Sequence, residues 1–411
     1  MKNIKEKILK LIRHKPFIRK VLSKIYLFFI KVNNTFKKIK FKKLYYINPS
    51  EINYISWKFF DIFSQEWNII DGDWDLDKNL TPIVKYEIYQ GLKERFINKI
   101  DWEETIYFKT YSEKISDWKI LWNCSNTKEL LERCKRLDTL YEDIKNNWYK
   151  LNKDPITWGY DEVTINIWRN WELLFNDWAH RLSIAKILWL KEIPVRIIAR
   201  HRNWYNFIKY LKSVLPNQTS YQSLGHPDLD TNFTINHPCY NRFELFSPYL
   251  PEAKQNSKSL DIWGNIGFFT RELEKRWFNA YIIEHESFYL KILQKFKDFL
   301  WYKYTIIWED MFEWKWINEN KFNVVLALNI FHHFIKTEEF YEKLVQLLNN
   351  LKTDVIIFEA HNPDEQQMEW SYKNYSPLEF VKFIMKETWL DKYEEIWIIE
   401  SDWRQIFKIY K

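Results

Sequence analysis

Glycine is nearly missing from this chain. Six of its 411 residues are Gly, where ordinary usage of about 7% would supply roughly 29. The same chain carries 23 Trp, close to the size of the shortfall. Position ties the two counts together. The helical patterns YEDIKNN, SIAKIL, ELEKR, FKDFL and IMKET run straight into Trp148, Trp189, Trp277, Trp301 and Trp389. Each Trp holds the slot just past a helix, where the backbone turns left-handed and Gly is preferred for want of a Cβ. Asn170-Trp171 lies between two strand-like runs, where Asn-Gly would make a type I′ turn. A bulky, β-favouring indole suits φ > 0 poorly. These slots predict that much of the Trp stands for glycine in the native protein. A genome reading UGA as Gly, translated with UGA as Trp, would produce this pattern, and the Lys/Ile/Asn/Phe/Tyr-rich composition suits an AT-rich genome. The competing reading is a genuine Trp-rich aromatic surface. Trp57, Trp74, Trp102 and Trp204 match no glycine slot and read as true Trp.

Cysteine is scarce too. Cys124, Cys134 and Cys239 show no CxxC spacing, which speaks against a disulfide framework or a zinc site and for a reducing cytoplasm. Long apolar runs are absent: no segment reaches the roughly 18 residues a spanning helix needs. A signal peptide is not expected, because the N-terminal basic stretch continues past its short apolar run. The net charge of +7 is uneven. Residues 1–45 hold 15 Lys/Arg against one acid, Glu6, so the remainder is acidic. That arm reads as a basic helix, either solvated or lying on an anionic membrane surface with Leu22, Ile25, Phe28 and Phe29 dipping in. The localisation expected is therefore cytoplasmic or peripheral on the inner membrane face. Nucleic acid is disfavoured as a partner, because no aromatic-basic stacking motif is present.

Residues 46–210 read as an α+β unit. KELLERCKRLDTLYEDIKNN is helical, DEVTINI and ELLF alternate as strands, NDWAHRLSIAKIL is a helix and IPVRIIARH a strand. Asp177 is expected to cap the helix that carries His180 and Arg181. Read with glycine at 148, 168, 171, 178 and 189, this run of about 70 residues resembles the ParB/sulfiredoxin-like fold. The resemblance implies a nucleotide or phosphate site at Asp177, His180 and Arg181, where free N–H groups attract anions. The bland alternative is that Arg181 pairs with Asp177 or Glu162 as scaffold. Hydrolysis is disfavoured, because Ala179-His180-Arg181 stands where hydrolysing members carry a Glu-Arg pair. Residues 211–256, with their Pro clusters, read as a connector holding one short helix.

From 257 to 411 strands and helices alternate: SLDIW, NAYIIE, KYTIIW, FNVVLALN, DVIIFEA, EIWIIE and QIFKIY are the strands. Near-continuous apolar strands between amphipathic helices predict a doubly wound, Rossmann-like α/β sheet of seven strands, closed by an antiparallel hairpin. In such sheets ligands bind beside the switch point, at the carboxyl ends of strands. Asp261 ends the first strand and a small-residue loop follows. Glu284 ends the second strand, where a carboxylate can accept ribose hydroxyls. Asp310 follows the third strand and Asn329 the fourth. This region resembles the class I S-adenosylmethionine-dependent methyltransferases, whose first loop D-x-G-x-x-x-G is met by Asp261, Trp263, Gly264, Asn265 and Gly267 once 263 is glycine. The resemblance implies S-adenosyl-L-methionine as cofactor. Its methionine moiety would lie on that loop, its ribose on Glu284, its adenine at Asp310 and Met311, and its methyl group beside Asn329. The departure is Trp263, whose indole would fill the cofactor space. A nicotinamide dehydrogenase is the competing use of the sheet, but Phe268 and Phe269 stand where its third glycine would fall.

Methyl transfer asks for in-line positioning, and for a base if the acceptor is a hydroxyl. His332 and His333, just after the fourth strand, are the candidate bases, since a neutral imidazole accepts a proton near neutral pH. Each could instead pack and cap the next helix. Glu359 and His361 are secondary candidates, and Tyr372 and Tyr375 candidate acceptor contacts. No metal is expected. The acceptor is expected to be a small molecule or glycan, with a sugar or nucleotide-linked glycan precursor favoured. The alternative from another class is a non-catalytic regulator that binds nucleotide or nucleic acid, its cofactor fold degraded.

Overall fold

The computed structural model describes residues 43–56, 68–76, 80–116, 120–152, 161–312, 316–399 and 404–411. The basic arm lies almost entirely outside them, as does Trp57. The chain divides into two units, Met1–Ile208 and Lys209–Lys411.

The first unit is built on a mixed sheet. Its strands are β1 (Tyr45–Ile47), β2 (Tyr54–Ser56), β3 (Asn68–Ile70), β4 (Leu80–Pro82), β5 (Val163–Ile167), β6 (Leu173–Asp177) and β7 (Ile193–His201). They run in the order β1-β7-β5-β6-β2-β4, with β3 also on β7. Every residue of β5 and β7 is buried, including the polar Thr164, Asn166, Arg196, Arg200 and His201. β5 and β6 form the expected antiparallel hairpin. The long helix Thr127–Asn147 starts where the Asn126 side chain accepts the Glu129 N–H and ends at Trp148. Trp102 packs here, its indole N–H donating to the Asp138 carboxylate at 3.0 Å.

The second unit carries the seven-stranded sheet that the sequence predicts. Its strands are β10 (Lys258–Ile262), β11 (Asn279–Ile283), β12 (Thr305–Ile307), β14 (Val324–Leu328), β16 (Val355–Glu359), β17 (Lys392–Ile399) and β18 (Arg404–Tyr410). The order is β12-β11-β10-β14-β16-β18-β17. Strands β12 to β16 are parallel; β18 is antiparallel to both its neighbours. A short parallel pair, β13 (Lys321–Phe322) and β15 (Lys352–Thr353), lies beside it. Strand order reverses between β10 and β14, so a crevice opens at their carboxyl ends. The expected connector is more structured than its prolines suggest. It belongs to the second unit and contains two paired parallel strands, β8 (Thr219–Gln222) and β9 (Thr234–His237), with helices Pro227–Asn232 and Tyr240–Phe246.

Backbone angles separate the tryptophans. Seventeen non-glycine residues among those described have φ between +49° and +81°; ten are Trp and five are Asn. Asn tolerates the left-handed region and Trp does not. The ten are Trp122, Trp148, Trp171, Trp178, Trp189, Trp263, Trp277, Trp301, Trp370 and Trp389. All six positions expected to turn left-handed, five helix ends and the Asn170-Trp171 turn, do so. Trp277 N–H bonds to Glu274 O while Phe278 N–H reaches back to Leu273 O, the closing pattern in which C′ is normally glycine. Trp189 and Leu190 repeat it on Lys186 and Ala185. Six of the ten indoles are 71–91% exposed. Trp74, Trp102, Trp168 and Trp204 are instead buried with negative φ. Trp168 thus differs from the sequence reading, since nothing in its backbone asks for glycine. The three cysteines are buried, and none of them forms a disulfide. Among the described residues no helix is long and apolar enough to cross a membrane.

Candidate functional site

The loop after β10 is tight. A Cβ on Gly264 would stand 2.6 Å from Asp261 Oδ2 and from Ile282 Cδ1, so only glycine lets the backbone pass there. Gly267, at φ +75°, caps the helix Phe268–Lys275. Asp261 is buried and accepts a hydrogen bond from Thr270 Oγ1 at 2.7 Å. Burial pushes its carboxyl up to about 6, and the Thr270 hydrogen bonds only partly offset that.

The ends of the neighbouring strands supply the other expected residues. Glu284, after β11, is buried, and its Oε1 accepts the N–H groups of His285 and Glu286 at 2.8 and 2.9 Å. Burial raises its pKa. Asp310, after β12, accepts the Phe312 N–H at 3.0 Å. Asn329, after β14, is left-handed at φ +57°, and its Nδ2 donates to Tyr221 Oη at 3.3 Å.

These residues meet in one crevice with two chambers. Asp261, Asn265, Glu284 and Asn329 line the inner chamber. Asp310, Met311 and Phe312 line the other. Trp263, His285 and His333 line both. The Trp263 indole lies 4.8 Å from the His285 ring and 5.2 Å from Phe334, centroid to centroid. It therefore stands between the chambers, in the volume the sequence assigns to the cofactor. As written, the residues do not fit S-adenosylmethionine, because the Trp263 indole lines both chambers.

The candidate bases separate. His333 is exposed in the crevice and near Lys336, whose ammonium lies 3.5 Å from its Nδ1. Burial and Lys336 push its pKa down to about 4. His332 is a correction: it is 2% exposed, lines neither chamber, and neither ring nitrogen has a hydrogen-bond partner. Burial pushes it down to about 2. Two consecutive residues of a four-residue helix point different ways, and His332 is the one that packs. His361 Nε2 lies 3.0 Å from Asn374 Oδ1, and Glu359 pairs with Arg242 at 3.4 Å. Tyr372 and Tyr375 line neither chamber. Their hydroxyls are held by Glu338 and Tyr341.

Sequence reasoning missed Tyr221, Gln222, His237 and Arg242, which line the inner chamber from the supposed connector. Its four-residue strands are too short to show a period. Among the described residues no cluster of His, Cys, Asp or Glu could hold a metal.

In the first unit the expected anion site is not assembled. His180 and Arg181 do sit in the first turn of the helix Ala179–Ile187, but Trp178, not Asp177, occupies its N-cap. Asp177 Oδ1 accepts the Trp178 N–H at 2.7 Å. Arg181 is buried; its guanidinium donates to Lys150 O, lies 3.8 Å from the buried Glu162 carboxylate and covers the Tyr149 ring at 4.2 Å. His180 Nε2 lies 3.1 Å from Tyr107 Oη. These contacts are those of scaffold.

No family model matches the chain, and no curated protein is similar to it in sequence. Similarity appears among solved structures. The bifunctional kinase-methyltransferase WbdD is 18% identical over 49% of this chain and 46% of its own, with a TM-score of 0.40. The match spans less than half of that protein's length. A SAM dependent methyltransferase from Archaeoglobus fulgidus is 16% identical over 42% of this chain and 92% of its own, TM-score 0.32. Magnesium protoporphyrin IX methyltransferase (ChlM) from Synechocystis PCC 6803, solved with bound SAM, is 14% identical over 38% and 70%, TM-score 0.30.

Proposed function

We propose that residues 257–411 form a class I methyltransferase domain that takes S-adenosyl-L-methionine. One observation carries this reading: Asp261, Glu284, Asp310 and Asn329 end or follow four adjacent parallel strands and line one crevice at the switch point. The 261–267 loop would hold the methionine moiety, Glu284 the ribose, and Asp310 with Met311 the adenine. The bound cofactor would supply an activated methyl group. The chain's own work is to orient that group and keep water out. The acceptor is a small molecule or glycan, and residues 1–45 a basic arm suited to an anionic surface. For residues 46–210, the order helix, hairpin, helix, strand supports the ParB/sulfiredoxin-like reading, with Arg181 as scaffold.

The fit depends on position 263, and the ten left-handed Trp support glycine at all ten. Trp122 and Trp370 join the set on backbone angle alone, whereas Trp74, Trp102, Trp168 and Trp204 stay Trp. The coding DNA tests this directly. UGA at the ten codons and UGG at the four is the expected outcome, with glycine masses in peptides of the native protein. UGG at codon 263 would instead favour the regulator with a degraded cofactor fold. Calorimetry with S-adenosylhomocysteine on a chain carrying glycine at the ten positions tests the activity class. Failure to bind would sink the methyltransferase reading.

A further inference from the structure

Three histidines meet at the carboxyl ends of β14 and β16, in the wall behind the crevice. His332 and His333 belong to the helix Phe331–Phe334, and His361 follows β16 by two residues. The His332 ring lies 4.0 Å from that of His333 and 5.8 Å from that of His361, centroid to centroid. His332 and His361 are both buried. Among the described residues neither nitrogen of His332 has a hydrogen-bond partner, and His361 has one on Nε2 alone, Asn374 Oδ1. The cluster joins two separate pieces of the wall. Ile330, His333 and Phe334 line the crevice on the β14 side. Behind them Ile335 O and Lys336 O accept the N–H groups of Lys373 and Tyr372, in the loop after β16, at 2.9 and 3.0 Å.

The charges around the three rings are mostly positive. Lys336, just past the helix, and Arg404, at the start of β18, both disfavour a proton on every one of them. Glu365 favours a proton on His333 and His361, but Arg404 binds its carboxylate at 2.6 and 2.9 Å. Burial works against the Glu365 charge, yet these bonds hold its pKa down to about 2. Glu359, at the end of β16, pairs with Arg242. A neutral imidazole is tolerated in such a place. An imidazolium carries two donors, and burying it among cations with no acceptor is far more costly. Burial accordingly lowers the proton affinity of all three rings: His332 to about 2, His333 to about 4, and His361 below its ordinary value.

We propose that His332, His333 and His361 form an acid-sensitive latch on the crevice. While neutral, they let the helix Phe331–Phe334 pack against the loop after β16; when they take up protons, the two pieces part and that wall of the crevice opens. Opened, each ring regains the ordinary imidazole affinity, near 6.5. Closed, it stays neutral to a much lower pH. Each ring therefore adds roughly a tenfold gain in opening per pH unit as pH falls below that value. His332, buried in the wall, adds the full factor, and His333, which faces the crevice, adds less. Above pH 6.5 neither state binds these protons, so the wall stays closed. The latch acts on the wall itself, whichever ligand the crevice takes.

Hydrogen exchange of the full chain tests this, read by mass spectrometry from about pH 7.5 to about pH 4.5 and corrected for the intrinsic rate. Peptides covering residues 330–336 and 361–375 should lose protection together as pH falls, while those of β11 keep theirs. His332→Phe keeps a ring and takes no proton, so its gain in opening per pH unit should be roughly tenfold smaller than the parent's. His332→Asn, smaller and equally unable to titrate, should show the same reduced slope and covers a Phe variant that does not fold. In the parent the His332 ring resonance should report a neutral imidazole until the two segments open. An unchanged slope in the variants overturns the latch. So does a His332 ring that titrates near 6.5 while both segments stay protected. Loss of protection in β11 over the same pH range also overturns it, because the whole unit is then unfolding in acid.

Discussion

The Trp263 and His285 rings stand 4.8 Å apart at the junction of two chambers that the strand ends would otherwise join. An indole at that point and a nucleoside cannot occupy the same volume. Trp263→Gly should therefore raise S-adenosylhomocysteine affinity at least about tenfold, or ~1.4 kcal/mol. It should also relieve a left-handed non-glycine residue, worth of order 1 kcal/mol in stability. Equal affinity with Trp or Gly, by calorimetry, would mean the loop has been misplaced.

Asp261 makes a pH prediction. Its folded pKa, about 6, lies above the ordinary value of 3.8. The neutral form is thus favoured in the fold, and its stabilising effect is full below about pH 4. That effect is lost as pH rises through 6, and at pH 7 the buried carboxylate costs roughly 2–3 kcal/mol. Asp261→Asn keeps an acceptor for Thr270 and removes the charge. It should stabilise the ligand-free protein at pH 7 and change little at pH 4. Urea midpoints equal in both variants at pH 7 would show the charge to be compensated.

Much of this was legible in the sequence, because the relevant signals are periodic or negative. Apolar strands such as Val324–Leu328 and Val355–Glu359 are buried at every position but Leu328, so their composition alone announces a parallel sheet. The missing glycines announced helix ends because a left-handed C′ residue is a steric demand. What escaped was short or directional. Tyr221 and His237 lie on four-residue strands that show less than two periods of alternation. Which of His332 and His333 faces the crevice depends on the twist of a single helical turn, which no spacing encodes. Trp122 sits in a turn and Trp370 just past a three-residue 3-10 helix, Gln366–Met368, too short to show a helical pattern, so their positive φ could not be read from the sequence.

Arg181 should behave as scaffold. Its partner Glu162 is fully buried and accepts the Tyr149 hydroxyl at 3.0 Å. Arg181→Ala leaves that carboxylate without its cation, a loss of about 3 kcal/mol or more. Millimolar phosphate should not move the melting midpoint of the parent chain. A rise with phosphate that Arg181→Lys abolishes would restore an anion site at this helix start.

Trp370 and Trp204 should respond in opposite directions to the same change. Trp370 is 91% exposed at φ +66°, so its ring contributes little packing while its Cβ strains the turn. Trp370→Gly should stabilise by about 1 kcal/mol, less whatever the freer unfolded chain takes back. Trp204 is fully buried in the helix Arg202–Val214 and packs against Phe207 at 5.8 Å between centroids. Trp204→Gly leaves a cavity and weakens the helix, for a loss of roughly 4–6 kcal/mol. The two effects come from one substitution type, so only the local geometry can set the sign. Denaturant unfolding of the two single variants reads that sign, and destabilisation of similar size at both positions would mean that the left-handed tryptophans are native residues.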